Sequence, residues 1–300
     1  LLAGVLDGCA LLRNRCVVTG TGNEAAQRHH YYGTFTEAQN TRTAEIRVGE
    51  GVKGFVTELW STLPNIVTVS ITSPSGERTG QIPVRLGYLF DFVFAFERTA
   101  VTVEYRLLQE NSDAQLVFIR LQKAVPGIWK IEVKPVMQTK GEFHMWLPMR
   151  EFLDGEVYFL ESNPDTTFTE PAGGEHTMTV SYYNSQENTV DINSGRGYTR
   201  DERIKPDYAA PGVAVTGAVP GGGFKERTGS SAATAIAAGG CALIMKWISD
   251  QPGAGGASAS QVRNVIVMGA QKLPAIEYPN TQWGYGTMNL YHSLDILRRL

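Results

Sequence analysis

A serine placed to act as a nucleophile stands in Thr228-Gly229-Ser230-Ser231-Ala232-Ala233-Thr234-Ala235, directly before the apolar run 236–248. A hydroxyl in the first turn of a buried helix meets unpaired backbone N–H groups and the positive end of the helix dipole, so negative charge developing beside it is favoured. Ser231 in that position suits acyl transfer; it equally suits a plain helix N-cap. Acyl transfer drives charge onto a former carbonyl oxygen, which needs preorganised donors. The side-chain amide of Asn23, in Val17-Val18-Thr19-Gly20-Thr21-Gly22-Asn23-Glu24, is the candidate, together with the Ser231 backbone N–H. Read alone, Gly-Asn is simply a turn dipeptide. A serine hydroxyl also needs a histidine to take its proton and a carboxylate to orient that histidine. The histidines are His29, His30, His144, His176 and His292. The adjacent pair His29-His30 points in two directions and has no third ligand at metal spacing, so a structural role suits it better than a metal.

Elements must hold these residues. Residues 1–13 carry apolar side chains at helical spacing, and Cys16 to Thr19 reads as a short buried strand that runs into the Gly20–Asn23 turn. From about Thr34 to Ser162 strand-like runs recur at short intervals between Gly, Pro, Asn and Ser clusters. Examples are 55–61, 65–72, 88–96, 101–108, 115–121, 129–133 and 142–147. The alternation in Val101-Thr102-Val103-Glu104-Tyr105 is that of strands with one wet face, and the block predicts an all-β sandwich of jelly-roll type. After about Glu161 a strand is expected near 177–182, then a loop-rich stretch to Pro211, then helices over about 231–250, 258–268 and 287–298. One α/β domain interrupted by a β-block accounts for this order.

Four segments resemble, in the family's order, the subtilisin-like serine proteases. The serine octapeptide resembles their Gly-Thr-Ser-x-Ala nucleophile motif, and the Asn23 segment their Ala-x-Gly-Asn-Glu oxyanion turn. Arg203-Ile204-Lys205-Pro206-Asp207-Tyr208-Ala209-Ala210-Pro211-Gly212 resembles the Lys-Pro-Asp signature ahead of the nucleophile, where Asp207 orders backbone. Trp283-Gly284-Tyr285-Gly286-Thr287-Met288-Asn289 resembles the opening of the family's last helix. The resemblance covers most of residues 1–32 and about 165–300. Asn193-Ser194-Gly195-Arg196-Gly197-Tyr198-Thr199-Arg200-Asp201, with Asn23-Glu24 followed by His29-His30, is similar to the Csp-type subtilases of clostridia, which carry an inserted jelly roll.

The resemblance implies an α/β subtilisin-like three-layer domain, its N-terminal part missing, interrupted by an all-β jelly-roll-type insertion. Domain boundaries are then 1–34 and 163–300 for the protease segments and 35–162 for the insertion. It also implies a serine endopeptidase with Ser231 as nucleophile and Asn23 in the oxyanion hole. No histidine here stands in the family's His-Gly-Thr setting, and its Asp and its substrate-binding strand belong upstream of Leu1. The chain alone is therefore expected to be inactive. Because Leu1–Leu6 reads as the inside of a helix, truncation explains the gap better than decay. The alternative is a non-catalytic pseudoprotease that acts as a regulator, sensor or partner-binding protein. The expected partners are a protein or peptide substrate and a propeptide or partner subtilase; an exported or spore-associated location follows from the resemblance alone.

Composition narrows the remaining classes. A formal charge of -3 over 300 residues offers no basic excess for a phosphate backbone, so nucleic acid is not an expected partner. Cys9, Cys16 and Cys241 form no Cys-x-x-Cys pair and read as core residues rather than a disulfide framework. No run is expected to span a membrane, the start lacks a basic leader, and no cofactor or metal is indicated. Trp60, Trp129 and Trp146 could form a sugar platform in the β-block, though at strand spacing they fit a core better.

Overall fold

The computed structural model describes residues 2–107, 113–137, 140–253 and 255–299. In chain order the elements are α1 (Leu2–Ala10), β1 (Val18–Gly20), β2 (His30–Phe35), β3 (Arg42–Val48), β4 (Gly54–Thr62) and β5 (Val67–Thr72). They continue with β6 (Leu89–Val93), β7 (Ala100–Leu107), β8 (Ala114–Gln122), β9 (Gly127–Pro135), β10 (Gly141–Trp146) and β11 (Val157–Phe159). The last group is β12 (Met178–Asn184), β13 (Thr189–Val190), β14 (Tyr208–Pro211), β15 (Val215–Ala218), β16 (Phe224–Arg227), α2 (Ser230–Ser249), α3 (Ala259–Gly269) and α4 (Leu290–Arg299). Two compact units result, Leu1–Ala26 with Pro164–Leu300, and Gln27–Asn163. The first division falls before β2, earlier than the change of texture near Thr34, because His30–Phe35 pairs along β10 inside the second unit.

In the first unit β12 lies between β1 and β14, parallel to both, and β13 pairs antiparallel with its far end. The sequence reading placed Tyr208–Pro211 in a loop; it is instead a strand, because Tyr208, Ala209 and Ala210 are buried side chains that fit a parallel sheet covered on both faces. Helix α2 lies on one face through Ser230, Ala233, Ala237, Gly240, Cys241 and Ile244, a stripe at helical spacing. The small residues in the stripe let α2 come close to the sheet: a Cβ on Gly20 would stand 2.5 Å from Thr234 Oγ1. Met178, Val180, Tyr208, Cys241, Val262 and Ile266 form the core there, with Leu290 and Leu294 of α4 against it. Ser258 and Gln261 form a reciprocal capping box at the start of α3.

One sequence expectation needs correction. α2 has 20 residues and an 18-residue window of mean hydropathy 1.4, enough by length and composition to cross a bilayer. It is the helix packed on this sheet, with Ala233, Ala237, Cys241 and Ile244 in the core.

The second unit packs two antiparallel sheets around one core. The strand orders are β2-β10-β4-β8-β7-β6 and β11-β3-β9-β5. Trp129 is a core residue, its indole N–H donating to Val125 C=O at 3.0 Å, while Trp60 and Trp146 are half-buried. His30 Nε2 and His144 Nδ1 are 2.9 Å apart, and both rings stack on Trp146. This hydrogen-bonded stack is the structural role suggested for His30.

Candidate active site

The parallel strands of the first unit end on one side of their sheet, and the two residues singled out from the sequence lie there. After β1 the backbone runs through Thr21, whose N–H donates to Val180 C=O at 3.0 Å, and through Gly22 at φ 83°. A side chain at position 22 would collide with Thr169, so only glycine allows this close passage. Gly195 N–H donates to Gly22 C=O at 3.1 Å, and Ser194 Oγ accepts from Tyr182 N–H at 3.1 Å. The turn is thus tied to β12 and to the 193–195 segment, and it delivers Asn23 with its side chain exposed.

From the other strand end, β14 leads through Gly212 into the hairpin β15–β16 and back to Gly229. Gly229 N–H donates to Gly212 C=O at 2.8 Å, which closes the base of the hairpin. Gly229 adopts φ 140°, caps α2 without a side chain, and leaves room for Asn23: a Cβ there would stand 3.3 Å from Asn23 Oδ1.

Asn23 and the start of α2 meet across 207 positions of sequence: Ser230 N–H donates to Asn23 Oδ1 at 3.0 Å. The asparagine therefore caps the helix from another segment, satisfying an N–H that no side chain of α2 reaches. With its carbonyl oxygen engaged on Ser230, the amide's two N–H donors are left for another acceptor. Ser230 itself is buried, and its C=O accepts Thr234 Oγ1–H at 2.8 Å. Ser231, the next residue, is exposed in the first helical turn.

At the start of β12 lies an ion pair that the Lys-Pro-Asp segment supplies. Lys205 Nζ donates to Asp207 Oδ2 and to Thr177 C=O, each at 2.6 Å, and Asp207 Oδ2 also accepts Thr179 N–H at 2.7 Å. Arg263 Nη1 adds a cation 3.8 Å from Asp207 Oδ1. Burial pushes the Lys205 ammonium below its ordinary pKa, against the attraction of Asp207. Asp207 thus orders backbone, joining β12 to the segment that enters β14.

Neither histidine of this unit serves Ser231. His176 precedes β12, at the end of the sheet opposite Asn23, where its backbone N–H donates to Asp7 at 2.8 Å. His292 lies exposed on α4. Among the described residues no three His, Cys, Asp or Glu side chains group as metal ligands. Sequence reasoning missed the β15–β16 hairpin, whose Gly221, Gly222 and Gly223 all take positive φ. The Gly-Gly-Gly run was its available signal.

Residues 155–286 match the subtilase family. The structure is similar to that of the CspB protease of Clostridium perfringens, with a TM-score of 0.90 and 26% identity over 99% of this chain. The chain spans 63% of the length of that protein's chain. The prenylagaramide maturation protease PagA matches over 44% of this chain and 46% of its own, at 24% identity and a TM-score of 0.35. The S218A protease domain of PatA matches over 45% of each chain, at 23% identity and 0.37. No curated protein matches the chain in sequence.

Proposed function

We propose that this chain, a relative of the subtilases by its matched segment and its fold, is the nucleophile-bearing portion of a serine endopeptidase. Ser231 Oγ attacks the scissile carbonyl of a protein or peptide. The oxyanion accepts hydrogen bonds from the Asn23 amide N–H and the Ser231 backbone N–H, and the positive end of α2 favours the charge. The histidine that takes the serine proton and the aspartate that orients it come from upstream sequence, so these 300 residues do not hydrolyse peptides alone. The second unit is a jelly-roll-type insertion that braces the protease unit or docks a partner.

The observation that carries this reading is the 3.0 Å hydrogen bond from Ser230 N–H to Asn23 Oδ1. It fixes an amide group beside an exposed serine at a helix N-terminus, with the amide's donor end spare.

The test uses the longer protein that contains this chain. It should hydrolyse a mixed fluorogenic peptide library, and Ser231→Ala should lower the rate to background while the fold, followed by circular dichroism, is unchanged. Undiminished hydrolysis by Ser231→Ala would reject Ser231 as the nucleophile. A folded, complete protein inert toward the library and toward serine-directed reagents would favour the pseudoprotease reading.

A further inference from the structure

The second unit has an open end. Its larger sheet has six strands and its smaller one four, and β6 is the last strand of the larger, paired on one side only, with β7. Alternate residues of Leu89–Val93 therefore aim their N–H and C=O groups away from the sheet, as a template for another strand. Natural edges are usually blunted by lysines, prolines or bulges. This one carries a single charge, Asp91, whose carboxylate accepts Thr102 Oγ1–H at 2.7 Å. Around it Tyr88, Leu89, Val93 and Phe96 are 67%, 60%, 61% and 81% exposed.

A pocket of about 460 Å³ opens beside the first half of β6, between that strand and the segment leading to it. Its apolar lining comes from Pro83, Tyr88, Leu89, Phe90, Val103 and Tyr105, and Asp91, whose carboxylate is engaged by Thr102 Oγ1–H, also lines it. The Tyr105 hydroxyl donates to Ile82 C=O at 3.0 Å and accepts Val69 N–H at 3.1 Å, so its ring is what the pocket receives. Arg85 also lines the pocket and is exposed. Among the described residues no carboxylate pairs with it, whereas Arg78, Arg106 and Arg203 have such partners and several other arginines, such as Arg47 and Arg120, do not.

We propose that this end of the second unit receives the extended carboxyl-terminal segment of another polypeptide, which adds a strand to β6, seats its last apolar side chain in the pocket and places its terminal carboxylate on Arg85. Three features select that occupant. The free edge offers main-chain hydrogen bonds only to an extended backbone. The pocket takes a side chain, and a guanidinium fork fits a carboxylate in two parallel hydrogen bonds. A second copy of this chain fits worse, because antiparallel self-pairing of β6 about its middle residue opposes two Asp91 carboxylates and leaves Arg85 unused. The inference is independent of the role given to Ser231.

The experiment measures fluorescence anisotropy with the intact chain and a labelled synthetic peptide of alternating Thr and Val ending in Phe with a free carboxylate. The peptide should bind saturably. Its carboxyl-terminal amide should bind about tenfold more weakly, the loss of one charge-assisted hydrogen-bonded contact. Arg85→Gln should weaken the carboxylate peptide by the same factor and leave the amide unchanged; the side chain is exposed, so the variant folds. A peptide N-methylated at alternate residues should not bind in at least one of its two phases of methylation. No saturation by about 1 mM peptide, equal binding of acid and amide, or indifference to Arg85→Gln would overturn the proposal. So would decanoate binding as tightly as the peptide, which would make the site an apolar-anion pocket without strand pairing. A dimer in size-exclusion chromatography that the peptide does not dissociate would assign the edge to a second copy instead.

Discussion

At the residue scale the proposed site is an arrangement of donors around a place where charge would appear. Asn23 spends its carbonyl oxygen on Ser230, so the substitution that separates its two roles is informative. Asn23→Asp preserves the acceptor for Ser230 N–H and replaces the donor with negative charge; Asn23→Ala removes both. In the complete protein Asn23→Ala should lower kcat about 10²–10³-fold with little change in KM, a magnitude known from subtilisin itself rather than deduced from this chain. Asn23→Asp should be at least as impaired although the helix cap survives. Near-normal kcat in both would remove Asn23 from the chemistry. Much of this site is legible in sequence: Ser231 and Asn23 stand in recognisable segments, and the geometry brings those segments together. What the sequence does not disclose is the intermediary, because Ser230 N–H is a backbone donor and its partner lies 207 positions away.

Elements set how closely those residues can approach. Gly20 lets β1 pass beneath α2, and a Cβ there would meet Thr234 Oγ1 at 2.5 Å and Ser230 at 3.1 Å. Gly20→Ala should therefore destabilise the chain by ~1–3 kcal/mol through overpacking, seen as a lower urea midpoint with an unchanged slope. A midpoint equal to that of the parent chain would mean that α2 yields without cost. Lys205 and Asp207 are 3% and 5% exposed, so Asp207→Ala should cost ~3–5 kcal/mol by leaving a buried ammonium unpaired. Lys205→Met in the same background should recover part of the loss; no recovery would mean that Asp207 acts only through Thr179 N–H. Alternation revealed most strands of the second unit, since each has one buried and one wet face. The runs singled out from the sequence do not include β2, β3 or β11, although Thr43-Ala44-Glu45-Ile46-Arg47-Val48 alternates strictly and buries Ala44, Ile46 and Val48. Alternation missed β14 because a strand buried on both faces shows none, and the nearby prolines and glycine speak for a turn.

Across the whole molecule, buried tyrosines couple stability to alkaline pH. Burial pushes the Tyr105 hydroxyl from 10.0 up to about 12, and Tyr31, Tyr182, Tyr183 and Tyr208 are also raised, each chiefly by burial. A raised phenol keeps its proton in the folded state after the unfolded chain has lost it. Its stabilising contribution is complete below the unfolded value near 10 and is lost as pH rises from there through the folded value. For Tyr105, 3% exposed, the loss approaches ~3 kcal/mol. Thermal unfolding should therefore shift to lower temperature from about pH 10 upward, and Tyr105→Phe, less stable at neutral pH for want of two hydrogen bonds, should show a smaller alkaline shift. An equal shift would assign the effect to the other tyrosines. Such curves should be read with two probes, because two compact units need not unfold as one.

The proposed chemistry turns on one oxygen atom, Ser231 Oγ. Incubating the complete protein with a fluorophosphonate and digesting it should yield a single phosphonylated peptide, modified at Ser231, which is absent from Ser231→Ala and forms at least tenfold more slowly in Asn23→Ala. A folded, complete protein that takes up no phosphonate, or takes it up at another residue with Ser231 unmodified, would contradict the assignment of this chain to a serine endopeptidase.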